Sequence, residues 1–137
     1  MEHNAKILPP ENVIAELDVG SKKRAFEHVG EMLEQSLHLG RSKIFDSLFA
    51  REKLGYTGLG PGIAIPHGRI VGLPALSGLF VRLARPVDFE AMDGEPVDLV
   101  FLLHAPEEAG ADHLQALARV ARVLRTPNVP QKLRQTE

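Results

Sequence analysis

Gly78-Leu79-Phe80-Val81-Arg82-Leu83-Ala84 and Val97-Asp98-Leu99-Val100-Phe101-Leu102-Leu103 decide the architecture of this chain. Both runs are short and largely apolar, broken only by Arg82 and Asp98, and both read as strands. Between them Asp93-Gly94 marks a turn, and Val87-Asp88-Phe89 reads as a short edge segment. So short a loop permits antiparallel neighbours, which predicts a mixed sheet rather than a doubly wound one.

Outward from this pair the pattern changes to helical. Ser21 caps a helix running to about Leu37, with Ala25, Val29, Met32 and Leu33 on one face. Ser42 caps a second helix, whose stripe is Ile44, Phe45, Leu48 and Phe49 and whose last turn holds Arg51, Glu52 and Lys53. Before both, Val13 to Val19 reads as a first strand, bounded by Pro9-Pro10 and Gly20. On the far side Asp112 opens a helix through Leu124, with Leu114, Leu117, Ala118, Ala121 and Leu124 as its buried stripe. Thr126-Pro127 stops it, and Val129 to Arg134 begins another. Helices on both sides of a strand-rich middle predict an α/β domain, a mixed β-sheet flanked by helices on both faces.

Composition removes several function classes. With no cysteine there are no disulfides, thiolate nucleophiles or cysteine-held zinc, and a reducing compartment fits. A net charge of -2 supports no nucleic-acid partner. The polar start and the brevity of the longest apolar run, Leu99 to Leu103, argue against a leader or a membrane span, so the cytoplasm is the default. At 137 residues the chain suits one domain.

The chemistry concentrates between Gly55 and Gly72. Glycine at 55, 58, 60, 62, 68 and 72 with proline at 61 and 66 reads as a shaped loop holding at most a short strand at Ile63-Ala64-Ile65. Such a loop brings backbone N–H groups close to phosphate oxygens, although its spacing fits neither GxxxxGK[ST] nor a dinucleotide-binding turn. His67 closes it, between Pro66 and Gly68. A histidine nucleophile needs one unprotonated ring nitrogen and an acceptor holding the other. The incoming phosphoryl group needs donors or a cation. Arg51, at a helix end just before the loop, is one candidate. His113, in the first turn of the later helix, is another, placed beside the apolar stripe rather than in it.

These residues also carry a resemblance. Arg51-Glu52-Lys53-Leu54-Gly55, Thr57-Gly58-Leu59-Gly60 and Gly62-Ile63-Ala64-Ile65-Pro66-His67-Gly68 resemble the motifs of mannitol/fructose-type enzyme IIA domains of the phosphoenolpyruvate-dependent phosphotransferase system. Phe89 to Phe101 and His113-Leu114-Gln115-Ala116-Leu117 extend the match over most of the chain, which is most similar to the nitrogen-regulatory branch. The resemblance implies a phosphoryl carrier that accepts phosphate on His67 from a histidine-containing phosphocarrier protein. His113 and Arg51 then match the family's other site residues, and Thr57, Gly58, Gly60, Gly62 and Gly68 form the phosphate-binding loop. No cofactor or metal is implied. The acceptors would be regulatory target proteins, as the absence of a fused transport domain favours, or alternatively a sugar-permease IIB domain. Two features depart from the family. Tyr56 stands where a small hydroxyl residue is usual, and the family continues through a last C-terminal helix, so residues 1–137 read as a single type-2 IIA domain lacking it.

Plainer readings exist for each residue. His67 can end a tight turn inertly, Arg51 can balance a helix dipole, and His113 can be a solvated first-turn histidine. His104 reads as a partly buried strand-end residue, His28 and His38 as surface residues, and His3 as part of a loose terminus. Glu107-Glu108 reads as a solvated loop. Three histidines can hold zinc, but nothing in the spacing of His67, His104 and His113 requires it. Leu59, Ile63, Leu73 and Tyr56 are candidates for an exposed apolar rim that docks a partner.

Overall fold

The computed structural model describes residues 13–37, 40–52, 58–60, 62–73, 76–89, 94–107 and 111–135. Among the described residues these elements follow one another: β1 (Val13–Leu17), α1 (Lys22–Leu37), α2 (Arg41–Glu52), β2 (Gly58–Gly60), β3 (Ile63–Ala64), β4 (His67–Ile70), β5 (Ser77–Val87), β6 (Val97–Pro106), α3 (Ala111–Arg125) and α4 (Val129–Gln135). The sheet is mixed, as expected. β5 and β6 pair antiparallel, while β1 runs parallel to β5. On its other edge β6 takes two short parallel partners in succession, β3 at Leu99–Val100 and β4 at Leu103–Pro106, and β2 closes the edge antiparallel to β3.

Alternation along β5 and β6 divides the core. Leu79, Val81, Leu83, Val100 and Leu102 face α1 and α2, packing on Phe26, Val29, Leu33, Ile44 and Leu48. Phe80, Leu99, Phe101 and Leu103 face the opposite way, onto Ala116 and Leu124 of α3 and Leu133 of α4. Helices therefore cover both faces. Each fully buried Phe or Leu contributes about 1.5–3 kcal/mol of apolar burial, so the two clusters rather than helix propensity hold the elements in place.

Local chemistry sets the ends. Ser21 Oγ accepts the Arg24 N–H at 3.1 Å, the capping bond expected of it. Ser42 does not cap: α2 starts at Arg41, and the Gly40 carbonyl accepts the Lys43 and Ile44 N–H groups at 3.0 and 3.4 Å. Val87 does not belong to a separate edge segment but ends the long β5, while Phe89 is fully buried, edge-on to Phe26 at 6.1 Å between ring centroids. The glycine-rich stretch is not one loop. It holds β2, β3 and β4, because β6 offers ladder partners that no periodicity within the stretch reveals. Ile63 and Leu73 are buried, at 6% and 3% exposure, and form no exposed rim; Tyr56 and the side chain of Leu59 lie outside the described structure. Among the described residues no helix is long and apolar enough to cross a membrane.

The buried face of α3 is turned by about one residue from the expected stripe. His113, Ala116 and Leu124 are buried, whereas Leu114 is 67% exposed and Ala118 exposed. A helix with an amphipathic pattern this broad allows either rotation, and tertiary contact with Phe101 and Leu103 chooses.

Candidate active site

His67 is the first residue of β4, not the end of a loop. Its position follows from a break between two strands that share a partner. β3 leaves the ladder after Ala64, and pairing resumes when the Pro66 carbonyl accepts the Leu103 N–H at 3.0 Å. Across the break the Ile65 carbonyl accepts the His67 Nδ1–H at 2.9 Å. A carbonyl only accepts, so Nδ1 carries the proton and Nε2 keeps its lone pair. That lone pair is met by Arg51, whose Nε–H donates to Nε2 at 3.3 Å from the end of α2.

The His113 ring lies edge-on to His67, with centroids 5.7 Å apart and planes at 75°. It is 6% exposed, and among the described residues its Nε2 has no hydrogen-bond partner. Helix and strand thus bring together the three residues that spacing alone could not join. Burial is the main influence that pushes the His67 pKa below its usual value; the Ile65 carbonyl opposes this, Arg51 lowers it further and Glu52 raises it. His113 is lowered by burial first, then by the charges of His67 and Arg69. Both shifts favour the neutral form of the rings near pH 7.

The glycines separate by role. A Cβ on Gly68 would collide with Ser47 Oγ and come within 3.1 Å of the Ser47 carbonyl, so Gly68 lets β4 pack on α2 rather than baring the imidazole. Gly62 has φ +78° and sits against the Arg134–Asp98 pair, its carbonyl accepting the Asp98 and Leu99 N–H groups at 3.0 and 3.1 Å. Because His67 pairs with Leu103, Gly62 lies five strand residues away along β6, roughly 16 Å by strand rise, and does not adjoin the imidazole. Gly58 and Gly60 pair with Ala64 and Ile63 in the β2–β3 hairpin. Thr57 lies outside the described residues.

Other neighbours gave little sign in the sequence. Ser47 Oγ donates to the Arg69 carbonyl at 3.0 Å, bracing β4 two residues beyond His67. Glu52, next to Arg51, pairs with Lys22 at 2.5 Å. The bracing Ser47 has no motif, but Glu52 stands in the Arg51-Glu52-Lys53 run. His104 is not a partly buried strand-end residue. It is fully buried within β6, with both ring nitrogens unpartnered, and burial pushes its pKa down to about 4. His28 is exposed, as expected; His3 and His38 lie outside the described residues. Among the described residues no three His, Asp or Glu side chains converge as a metal centre would require.

Comparison with known proteins agrees with this geometry. Residues 6–137 match the family model of the phosphoenolpyruvate-dependent sugar phosphotransferase system, EIIA 2. A nitrogen regulatory protein of Bradyrhizobium diazoefficiens is 51% identical over 128 residues, 93% of this chain and 84% of that one. The crystal structure of the nitrogen regulatory protein IIA-Ntr from Neisseria meningitidis superimposes with a TM-score of 0.92 at 44% identity, covering 97% of this chain and 91% of its own. The mannitol IIA structure from Escherichia coli shares the fold, with a TM-score of 0.77 at 24% identity over 94% of this chain and 91% of that one.

Proposed function

The chain belongs to the EIIA 2 family of the phosphoenolpyruvate-dependent sugar phosphotransferase system, and from that premise we propose that it is a cytoplasmic regulatory phosphoryl carrier loaded on His67. The observation that carries the reading is the fixed tautomer: Nδ1–H is held by the Ile65 carbonyl, and the Nε2 lone pair points to Arg51. Its similarity to nitrogen regulatory proteins favours a regulatory use of the phosphate over sugar transport. Residues 1–137 are read as one IIA domain.

In the proposed reaction His67 Nε2 attacks the phosphorus of a phosphohistidine on a histidine-containing phosphocarrier protein. The new N–P bond forms as the donor's N–P bond breaks, and its electron pair returns to the donor imidazole. The proton on His67 Nδ1 stays against the Ile65 carbonyl, which offsets the positive character the ring gains. Arg51 can exchange its bond to Nε2 for the phosphoryl oxygens, and His113, buried beside the ring, supplies a second donor. Exchange between two histidines is near thermoneutral, so orientation matters more than driving force. Phosphorylation then adds about two negative charges to one face, which changes the partners that face accepts.

The test is incubation with phosphoenolpyruvate, enzyme I and the phosphocarrier protein, followed by intact mass and acid lability. One acid-labile phosphate is expected on the wild type and none on His67→Ala. A His67→Ala chain that still gains acid-labile phosphate would refute the assignment.

A further inference from the structure

We infer that Arg69 is the second cation of this site, an exposed guanidinium that neutralises charge on a phosphoryl group carried by His67 Nε2. The inference rests on the proposed phosphorylation of His67.

A phosphoryl group carries about 1.5–2 negative charges near pH 7, and its three outer oxygens accept more charge-assisted hydrogen bonds than Arg51 alone donates.

Strand geometry puts a cation where it is needed. Alternation along β4 sends His67 and Arg69 to one face, with Cβ atoms about 7 Å apart. Gly68 between them faces α2, where Ser47 fills the space a Cβ would take. The face shared by His67 and Arg69 is therefore the one that carries His113. Independent of this register, the positive charge of Arg69 lies close enough to His113 to disfavour its protonation. The bond from Ser47 Oγ to the Arg69 carbonyl fixes the backbone from which the side chain departs.

Arg69 also differs from the other arginines of the sheet. Arg82 is bound to the carbonyls of Leu133 and Arg134, and Arg85 is paired with Asp18. Among the described residues the Arg69 guanidinium has no hydrogen bond or ion pair, and it is exposed. A fork of N–H donors that is not already committed can turn to phosphate oxygens without first breaking another contact.

The test loads wild type, Arg69→Gln and Arg69→Lys with phosphoramidate, which needs no protein donor. The reagent's P–N bond breaks, ammonia leaves, and phosphorus bonds to the ring nitrogen; His67→Ala identifies the resonance. The second ionisation of the phosphoryl group is then followed by phosphorus NMR against pH. Losing a nearby positive charge disfavours the dianion, so Arg69→Gln should titrate higher by about half a unit, and Arg69→Lys should return most of the shift. A Gln variant that titrates like the wild type overturns the inference. So does unchanged titration with slower loading from the phosphocarrier, which would make Arg69 a partner-docking residue. If the wild type loads from phosphoramidate but never from the phosphocarrier, the proposed function fails while the Arg69 effect still stands or falls on its own titration. If phosphoramidate leaves His67 unmodified, both fall.

Discussion

The two ends of β6 treat polar groups in opposite ways. At the Val97 end charges are matched. Arg134 makes a two-bond pair with Asp98 at 2.8 and 3.0 Å, Arg82 binds the carbonyls of Leu133 and Arg134 at 2.9 and 3.3 Å, and Arg85 holds Asp18 at 2.7 Å. At the Pro106 end His113 Nε2 and both His104 nitrogens lack partners, and Arg51 spends a donor on an imidazole lone pair. Unpaired buried polar groups cost about 1–3 kcal/mol each. Among the described residues that cost falls at the Pro106 end of β6, where the proposed site lies.

The largest expected effect tests the chemical end. Arg51→Gln should slow phosphate loading on the order of 100-fold while the unfolding midpoint stays nearly unchanged, and Arg51→Lys should recover part of the rate because it keeps charge but not the fork. Parallel loading kinetics and thermal melts check this. A large loss of stability with normal loading would move Arg51 to the structural side.

His104→Leu is next, and its effect depends on pH. The unfolded ring protonates below its ordinary pKa of 6.5, whereas the folded ring resists until about 4. Stability linked to His104 is therefore complete above pH 6.5 and lost as pH falls toward 4. Leucine removes that linkage, so its stability advantage over the wild type should widen by about 2 kcal/mol between pH 7.5 and pH 5. Urea unfolding at the two pH values measures the gap, and a constant gap would show that His104 is not a buried neutral ring.

The smallest effect sharpens the other end. Gly62→Ala places a Cβ at left-handed φ and 2.7 Å from Arg134 Nη2, and should cost about 1–2 kcal/mol of stability. Its loading rate should match the wild type, because Gly62 is remote from His67 along β6. Slower loading at unchanged stability would return Gly62 to the phosphate loop.

The layers were legible because they follow from periodicity: Ala25, Val29 and Leu33 repeat as a helix face, and Val97 to Leu103 is apolar except for Asp98. His67, Arg51 and His113 were legible as chemistry, but their contact was not. Arg51 and His67 come together because β4 pairs with β6 beside α2, a long-range register that glycine-rich sequence conceals. The α3 rotation was misread because Leu114 looks like core and His113 does not, while the sheet below selects the face that buries the imidazole. Ser47 and Arg69 were passed over because a serine contact with a strand carbonyl has no sequence pattern.

The partner that fixes the His67 tautomer is a main-chain carbonyl, and this shapes how the site can change over generations. Any residue at 65 brings the same oxygen, so no single side-chain substitution there deletes the acceptor. Variation at 65 answers to volume and polarity, since Ile65 is buried in an apolar cluster. The vulnerable position is Pro66, which has no N–H to offer a ladder. A residue with an N–H there could draw β3 and β4 into one continuous strand and turn the Ile65 oxygen away. The tautomer is thus inherited through the path of the chain, and drift in side chains reaches it last.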